Sequence, residues 1–341
     1  MPIEPVQSAE EVSRLAFGFM ASKALFAGLH VDVFTRLSAG PLTAKELAAD
    51  VHVPVSRLQI LLHALLAVGL ICLDDEKFSN APASERFLSR NSKLDFGDYL
   101  RYQIDQQMYG RLEQLNNAMD GDLDEDAIAS YAHWMSDPQA ALLYSEAQHA
   151  GSLGPGRTLA RTIDLSKATS LLDVGGGTGA MTIRLCEANP NLLSTIIDFP
   201  NVAQIGWRMV TEAGLVNRVR YIPSDAISAA WPTEQDVILK SYLFSGVPGN
   251  AIPELIQRSF DCLAAGGIYL IHDFMVNQDG TGPELAALWQ LQHMAFTPDA
   301  RPVSAGWLRT QLTSVGFEDI EVSEMIPGMT RLVQARKPAA A

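Results

Sequence analysis

The sequence predicts an α/β chain, with a helical N-terminal region over residues 1–155 and a mainly parallel sheet flanked by helices over residues 156–341. Three observations lead there. From residue 165 onward, short apolar runs alternate with amphipathic helical stretches; the runs are TSLLDVG, STIIDF, VRYIP, DVILKSYLF and GGIYLIHDF. Strands that alternate with helices pair in parallel, because each crossover needs a helix to carry the chain back. Before residue 150 the periodicity is helical instead, and GSLGPG at 151–156 reads as a flexible break between the two textures. Finally, the glycine-rich turn DVGGGTG, Asp173–Gly179, sits between an apolar run and the helix AMTIRLCEAN.

Residues 10–37 are apolar at helical spacing, with Leu15, Phe17, Met20, Leu25 and Phe26 in the apolar set. A compact helical unit follows. Thr43 with Glu46 three residues later forms a capping box at the start of KELAAD. A second helix begins near Pro54 and Ser56 and stops at Gly69, and LICLDDEKFSNAPASERFL reads as a short hairpin wing and one more helix. This is a winged helix-turn-helix pattern. A DNA-reading helix needs several polar side chains for base edges. SRLQILLHALLAVGL offers one Arg on a mostly apolar surface, so the unit is expected to pack or dimerise rather than read DNA. Residues 98–150 read as helical, interrupted by the acidic run DGDLDEDA at 120–127; that spacing lacks the ligand order and turn glycine of a calcium loop. FEDIEVSEM and MTRLVQAR close the chain as a hairpin.

Composition narrows the function. With 25 Lys+Arg against 39 Asp+Glu, the 341 residues carry a formal charge of −14, which disfavours nucleic acid and anionic lipid as partners. No run approaches ~20 consecutive apolar residues, so no membrane span is expected. Acids come early in MPIEPVQSAEEVSRL and no basic segment precedes an apolar run, so no signal peptide is expected. Cys72, Cys186 and Cys262 are far apart and form no CxxC. They are expected to be small buried hydrophobes in a cytoplasmic protein, with no disulfide framework and no zinc site.

The glycine turn carries the chemistry. Glycines there let the backbone turn sharply and approach a ligand, and the helix N-terminus behind them favours polar groups. An acid, Asp173, precedes the glycines, and their pattern is GGGTG rather than the dinucleotide GxGxxG. An acid at that point suits a cationic amino-acid tail better than a pyrophosphate. Asp198 ends the next run, where a carboxylate can take both hydroxyls of a ribose. Together these residues point to S-adenosylmethionine (SAM).

In order, DVGGGTG, IIDFPNV, SDAI, ILKSYLF and LAAGGIYLIHDFM resemble the motifs of class I small-molecule methyltransferases. The chain is similar over nearly its whole length to the O-methyltransferase family that includes plant caffeate and bacterial polyketide enzymes. The resemblance implies a Rossmann-like seven-stranded sheet, an N-terminal winged-helix dimerisation domain that also serves as substrate lid, a homodimer, and SAM as cofactor. It also implies that Asp173, Gly175 and Gly177 hold the methionine end of the cofactor. Asp198 and Phe199 lie at the ribose by the same matching, Asp225 and Ala226 by the adenine, and Lys240 near the cofactor edge. YSEAQHAGS resembles the helix that lines the methyl-transfer site in this family, with Tyr144, Gln148 and Ser152 at the matching positions. Gln148 stands where the family has Met.

One departure from the pattern matters most. The family's general-base histidine falls at Phe244 here, and the following Asp at Ser245. Phenylalanine accepts no proton at any pH. Either a base is displaced, to His149, His272 or His293, or the acceptor has no proton to lose. His272 reads equally as a core histidine, and His293 in LWQLQHMAF matches a helix lining the substrate pocket, where it could position the acceptor. A neutral thioether sulfur is an acceptor that needs no base. In lacking the base, the chain resembles the S-methyltransferases that act on 4-methylthio-2-hydroxybutyrate in dimethylsulfoniopropionate synthesis. That resemblance implies a thioether hydroxy acid as substrate, with aromatic faces at Tyr144, Tyr242 and Phe244 for the travelling positive charge. Arg101, Arg111 and Arg301 are the candidate carboxylate anchors. Descendants of this fold that bind SAM without methylating lack the base too.

Overall fold

The computed structural model describes residues 4–120, 131–292 and 301–339. The chain divides into two compact units, Glu4–Gln107 and Met108 onward.

In the first unit, α1 (Ala9–His30) starts at a capping box between Ser8 and Glu11. Next come α2 (Val33–Leu37), β1 (Leu42–Thr43), α3 (Ala44–Asp50), α4 (Val55–Ala67), the hairpin β2 (Ile71–Asp74) and β3 (Lys77–Asn80), and α5 (Pro82–Phe87). The strands form a sheet of order β1-β3-β2, which is the winged helix the sequence predicts. Thr43 and Glu46 make the capping box: Glu46 N–H donates to Thr43 Oγ1 at 3.3 Å and Thr43 N–H donates to Glu46 Oε2 at 2.8 Å. Leu29, Phe34, Leu47, Leu58, Leu62 and Leu65 build the core, so the apolar face of the would-be reading helix α4 is spent on packing. One expectation fails in this unit: Cys72 is exposed, because three of the four β2 residues face solvent. Helix α1 is, by length and composition alone, long and apolar enough to cross a membrane, although Arg14 and Lys23 interrupt its apolar residues. Leu15, Phe17 and Met20 on it are 68%, 59% and 55% exposed, an apolar row larger than a solvated helix carries.

The second unit opens with α6 (Gly110–Leu112), α7 (Leu115–Asp120) and α8 (Tyr131–Ser136), then the long α9 (Pro138–Thr162). Of the acidic run at 120–127, all but Asp120 lies outside the described residues. The expected break at GSLGPG falls inside α9, with Pro155 within the helix. Its glycines serve packing instead. A Cβ on Gly156 would stand 3.1 Å from the Ala180 carbonyl oxygen and 3.2 Å from Arg184 Cγ, so glycine lets α9 close on the next helix. The expected division at residue 155 therefore lies within a continuous helix.

The sheet follows as β4 (Ser170–Val174), α10 (Ala180–Ala188), β5 (Leu193–Asp198), α11 (Pro200–Glu212), β6 (Val219–Pro223), β7 (Gln235–Ser241), α12 (Ile252–Cys262), β8 (Leu263–Asp273), α13 (Glu284–Trp289), α14 (Ala305–Val315), β9 (Glu318–Ile326) and β10 (Thr330–Arg336). Its seven strands lie in the order β6-β5-β4-β7-β8-β10-β9. Neighbours from β6 to β8 pair in parallel, and β10 enters antiparallel between β8 and β9. Alternate residues feed two cores: Leu172, Val174 and Ile238 face one side, Leu171, Val237 and Leu239 the other. The chain order reverses at β4, which has β5 on one side and β7 on the other. Ligands bind at the carboxyl ends of strands at such a switch point.

Gly179 anchors the turn after β4. It holds the left-handed φ of +77° as N-cap of α10, and a Cβ there would stand 2.8 Å from Ile196 Cδ1 and 3.1 Å from the Tyr221 hydroxyl. Gly179→Ala combines a conformational penalty with overpacking and should cost about 2–4 kcal/mol. Urea unfolding followed by circular dichroism measures that loss.

Candidate active site

The strand ends of β4, β5 and β7 and one face of α9 enclose a cavity of about 380 Å³. Tyr144, Ser145, Gln148 and Ser152 line it from α9, spaced so that successive turns of the helix present them to one side. Asp173, Gly175 and Gly177 line it from the glycine turn, Asp198 and Phe199 from the end of β5, and Asp225 and Ala226 from the loop after β6. The structure thus brings eleven of the residues singled out from the sequence into one cavity, Tyr242 among them.

Asp173 is fully buried at the end of the central strand. Thr182 Oγ1 donates to its Oδ2 at 2.7 Å, while its Oδ1 has no partner among the described residues. Burial pushes its carboxyl up to about 7, with the Asp198 charge adding to the shift. Asp198 accepts from Gly177 N–H at 2.7 Å on one oxygen and from its neighbour Phe199 N–H at 2.8 Å on the other. Burial outweighs these bonds and lifts Asp198 to about 6. Gly177 holds φ at +58°, and a Cβ there would meet no protein atom within 4 Å, so the backbone forms an open cradle. Ser145 Oγ is a second buried lining atom without a partner among the described residues. Asp173, Asp198 and Asp225 are the charged lining residues, and no Lys or Arg joins them among the described residues.

Five expected positions are corrected. Phe244 is fully buried in the core packed by Trp231, Ile252 and Tyr269, not on the cavity wall. Lys240 is buried as well. Strand alternation on β7 turns it away from the cavity, and its Nζ donates to the Leu255 carbonyl oxygen at 2.9 Å, to the Tyr269 hydroxyl at 2.8 Å and to the Ser259 hydroxyl. The rings of Trp231, Phe244 and Tyr269 surround that nitrogen, so its place is structural. Two of the three arginines are engaged elsewhere. Arg101 donates to the Leu29 carbonyl oxygen and to Asp98 within the first unit, and Arg301 stacks on Trp307 at 4.3 Å. Arg111 stacks on Trp134 at 5.3 Å beside the cavity and is not part of its lining.

Neither described candidate base lines the cavity. His149 Nδ1 pairs with Thr178 Oγ1 at 2.8 Å, and burial pushes the imidazole down to about 4. His272 is fully buried, bonded through both ring nitrogens, and burial pushes it down to about 3. His293 lies outside the described residues. The Tyr144 phenol is driven upward by burial and accepts from Gln148 Nε2 at 3.1 Å, so it stays protonated.

The wall also holds residues that the sequence did not single out for the site. Tyr131 lies edge-on to Tyr144 at 6.0 Å, and Trp134 packs against Tyr144 at 4.8 Å. Tyr242, expected as an aromatic face, lines the cavity with the non-glycine φ of +58°. Ser145 could have been read from the helix face it shares with Gln148 and Ser152; Tyr131 carries no sequence signal.

Residues 125–318, more than half the chain, match the O-methyltransferase domain, and residues 13–90 match the O-methyltransferase dimerisation domain. The chain belongs to the O-methyltransferase family. It is 26% identical over 339 residues to the tetracenomycin polyketide synthesis 8-O-methyl transferase TcmO of Streptomyces glaucescens, covering 99% of each chain. It is also 26% identical to the N,N-dimethyltransferase OxyT of Streptomyces rimosus, again over 99% of each. The crystal structure of human N-acetylserotonin methyltransferase in complex with SAM superposes with a TM-score of 0.85 at 21% identity, covering 99% of this chain and 100% of that one.

This O-methyltransferase-family chain is a SAM-dependent methyltransferase, and the cavity fits the cofactor. A buried carboxylate oxygen without a partner, an open glycine cradle and a lining charged by carboxylates alone suit a cationic ligand. Below pH 7 Asp173 holds a proton that a cation must displace; above it the carboxylate is ready. Cofactor affinity should therefore be about tenfold weaker at pH 6 than at pH 8, with proton uptake by the buffer on binding, and Asp173→Asn should flatten the profile. Calorimetry in buffers of different ionisation enthalpy measures both.

Proposed function

We propose that the chain transfers the SAM methyl group to the neutral sulfur of a thioether hydroxy acid, 4-methylthio-2-hydroxybutyrate, giving the dimethylsulfonio product of dimethylsulfoniopropionate synthesis. The observation that carries this reading is the cavity wall: three carboxylates and the rings of Tyr131, Tyr144, Phe199 and Tyr242, with no histidine and no cation among the described lining residues.

Bound SAM supplies an activated methyl group; the chain has to align the acceptor, exclude water and tolerate the charge that results. A phenol must lose a proton as it is methylated, and a carboxylate-lined cavity disfavours the phenolate. A thioether sulfur takes the methyl group with a lone pair and loses nothing. Positive charge then moves from one sulfur to another within the same cavity, where aromatic faces and carboxylates stabilise it in either place. In this reading Asp173, Gly175, Gly177 and Ser152 hold the methionine end of the cofactor, Asp198 and Phe199 the ribose, and Asp225 and Ala226 the adenine. Tyr144 and Gln148 flank the reacting centre. The relatives support latitude in the acceptor atom, since their names specify both O- and N-methyl transfer. The exposed apolar row on α1 and the dimerisation-domain match support a homodimer, and we place the enzyme in the cytoplasm.

A methyl-acceptor screen tests the proposal. The thioether hydroxy acid should be methylated far faster than phenols, thioether amines or methionine, and a phenol that outpaces every thioether would replace S- by O-methyl transfer. Single-turnover rates should lack a limb set by one histidine. Phe244→His should give no gain, because that side chain faces the core; urea denaturation should show a loss of stability instead. Asp198→Ala should weaken cofactor binding by roughly 1.5–3 kcal/mol, read by calorimetry.

A further inference from the structure

Ser241 ends β7 on the cavity wall, and its hydroxyl continues into the protein as a chain of hydrogen bonds. Ser241 Oγ lies 2.9 Å from His272 Nδ1, and His272 Nε2 lies 2.9 Å from Thr330 Oγ1. The three residues sit on three adjacent strands, β7, β8 and β10, with Ser241 and His272 in register.

The chain has a direction. Thr330 is 1% exposed, and its Oγ1 accepts from Ile326 N–H at 3.2 Å. Its own proton needs an acceptor, since a buried hydroxyl left without one costs free energy. The acceptor in reach is His272 Nε2. Nε2 therefore presents its lone pair, and the neutral imidazole carries its proton on Nδ1. Nδ1–H donates to Ser241 Oγ. The Ser241 proton is then left over, on a residue that lines the cavity. The opposite tautomer would strand the Thr330 proton. Burial keeps His272 neutral, so the direction holds across the working pH range. The backbone fixes Ser241 as well: Tyr242 N–H donates to the His272 carbonyl oxygen at 2.8 Å, and its left-handed φ ends the strand at that point.

We propose that Ser241 donates a hydrogen bond to a carboxylate oxygen of the acceptor, with His272 and Thr330 as positioning residues that aim its proton into the cavity. This assignment rests on the thioether-acid reading in naming the carboxylate. It accounts for how an anion is held in a cavity whose lining includes no Lys or Arg among the described residues: by neutral donors whose protons are fixed.

The test compares 4-methylthio-2-hydroxybutyrate with methyl propyl sulfide, a thioether without oxygen. Ser241→Ala should raise KM for the acid about tenfold or more, the effect of losing one hydrogen bond to a charged group, with kcat changed much less. KM for the sulfide and SAM affinity should not move, and Ser241→Thr should restore the acid. Thr330→Val should raise the same KM, and 15N NMR of the imidazole should show His272 protonated on Nδ1 in the wild type, with the Nε2–H tautomer gaining population in that variant. An unchanged KM for the acid in Ser241→Ala, a loss of SAM affinity instead, or a wild-type His272 protonated on Nε2 would overturn the proposal. Binding of the acid to the chain loaded with S-adenosylhomocysteine separates the two readings. If the wild type methylates no thioether yet binds the acid tenfold tighter than Ser241→Ala does, the donor stands and S-methyl transfer falls.

Discussion

A carboxylate buried with one oxygen unpaired is the constraint on which the rest of the second unit depends. Asp173 is the penultimate residue of the central strand β4, flanked by β5 and β7, and it is fully buried. Thr182, one turn into α10, satisfies one oxygen and nothing in the described protein satisfies the other. Burying a charge in this way is unfavourable without a partner. The neighbouring glycines follow from the same crowding, since a Cβ on Gly176 would stand 2.6 Å from the Asp173 carboxylate. Here the sheet gives up stability at its centre to keep a place for a cation, which is where a fold is expected to break its own packing rules.

The second constraint is strand parity. Along β7 the side chains alternate between two cores, so Ile238 and Lys240 belong to one face while Leu239 and Ser241 belong to the other. Motif spacing counts residues and does not see faces. Spacing alone therefore puts Lys240 at the cofactor edge, whereas the fold buries it and brings its neighbour Ser241 to the cavity. The left-handed Tyr242 then resets the alternation, sending its own ring to the wall and the Phe244 ring into the core beside Lys240. A lysine buried without a carboxylate survives there because two hydroxyls, a carbonyl and three rings meet its nitrogen.

The sheet was legible because its parallel strands are short apolar runs bounded by turns and its last two strands read as a hairpin, and the winged helix because its caps and hairpin are local signals. The acid–glycine turn was legible for the same reason: Asp173, Gly175 and Gly177 are neighbours in sequence as well as in space. Contacts that depend on tertiary packing were not. Glycine and proline at 151–156 read as a break, whereas close packing of α9 on α10 overrides that local preference. The partners of His272 lie 31 and 58 residues away in sequence, on two other strands. Tyr131 reaches the wall from a helix with no motif of its own.

Those buried partners change the meaning of the missing base. By the family resemblance Phe244 stands where a proton-accepting histidine is expected, and His272 is one of three candidate replacements in the sequence, reading equally as a core histidine. In the fold, burial that pushes the His272 imidazole down makes it a poor base, and its hydrogen bond with Thr330 sets its tautomer. A histidine in that state can orient a hydroxyl without exchanging protons with the reaction. In a cavity lined by carboxylates this matters, because a second fixed positive charge on the wall would draw the aspartates away from the cofactor. A serine whose proton is aimed by its neighbours supplies attraction for an anionic group without adding that charge. Under the proposed S-methyl transfer, the missing base and the inward-bonded histidine would be two parts of one adjustment, from an acceptor that must lose a proton to one that must only be held.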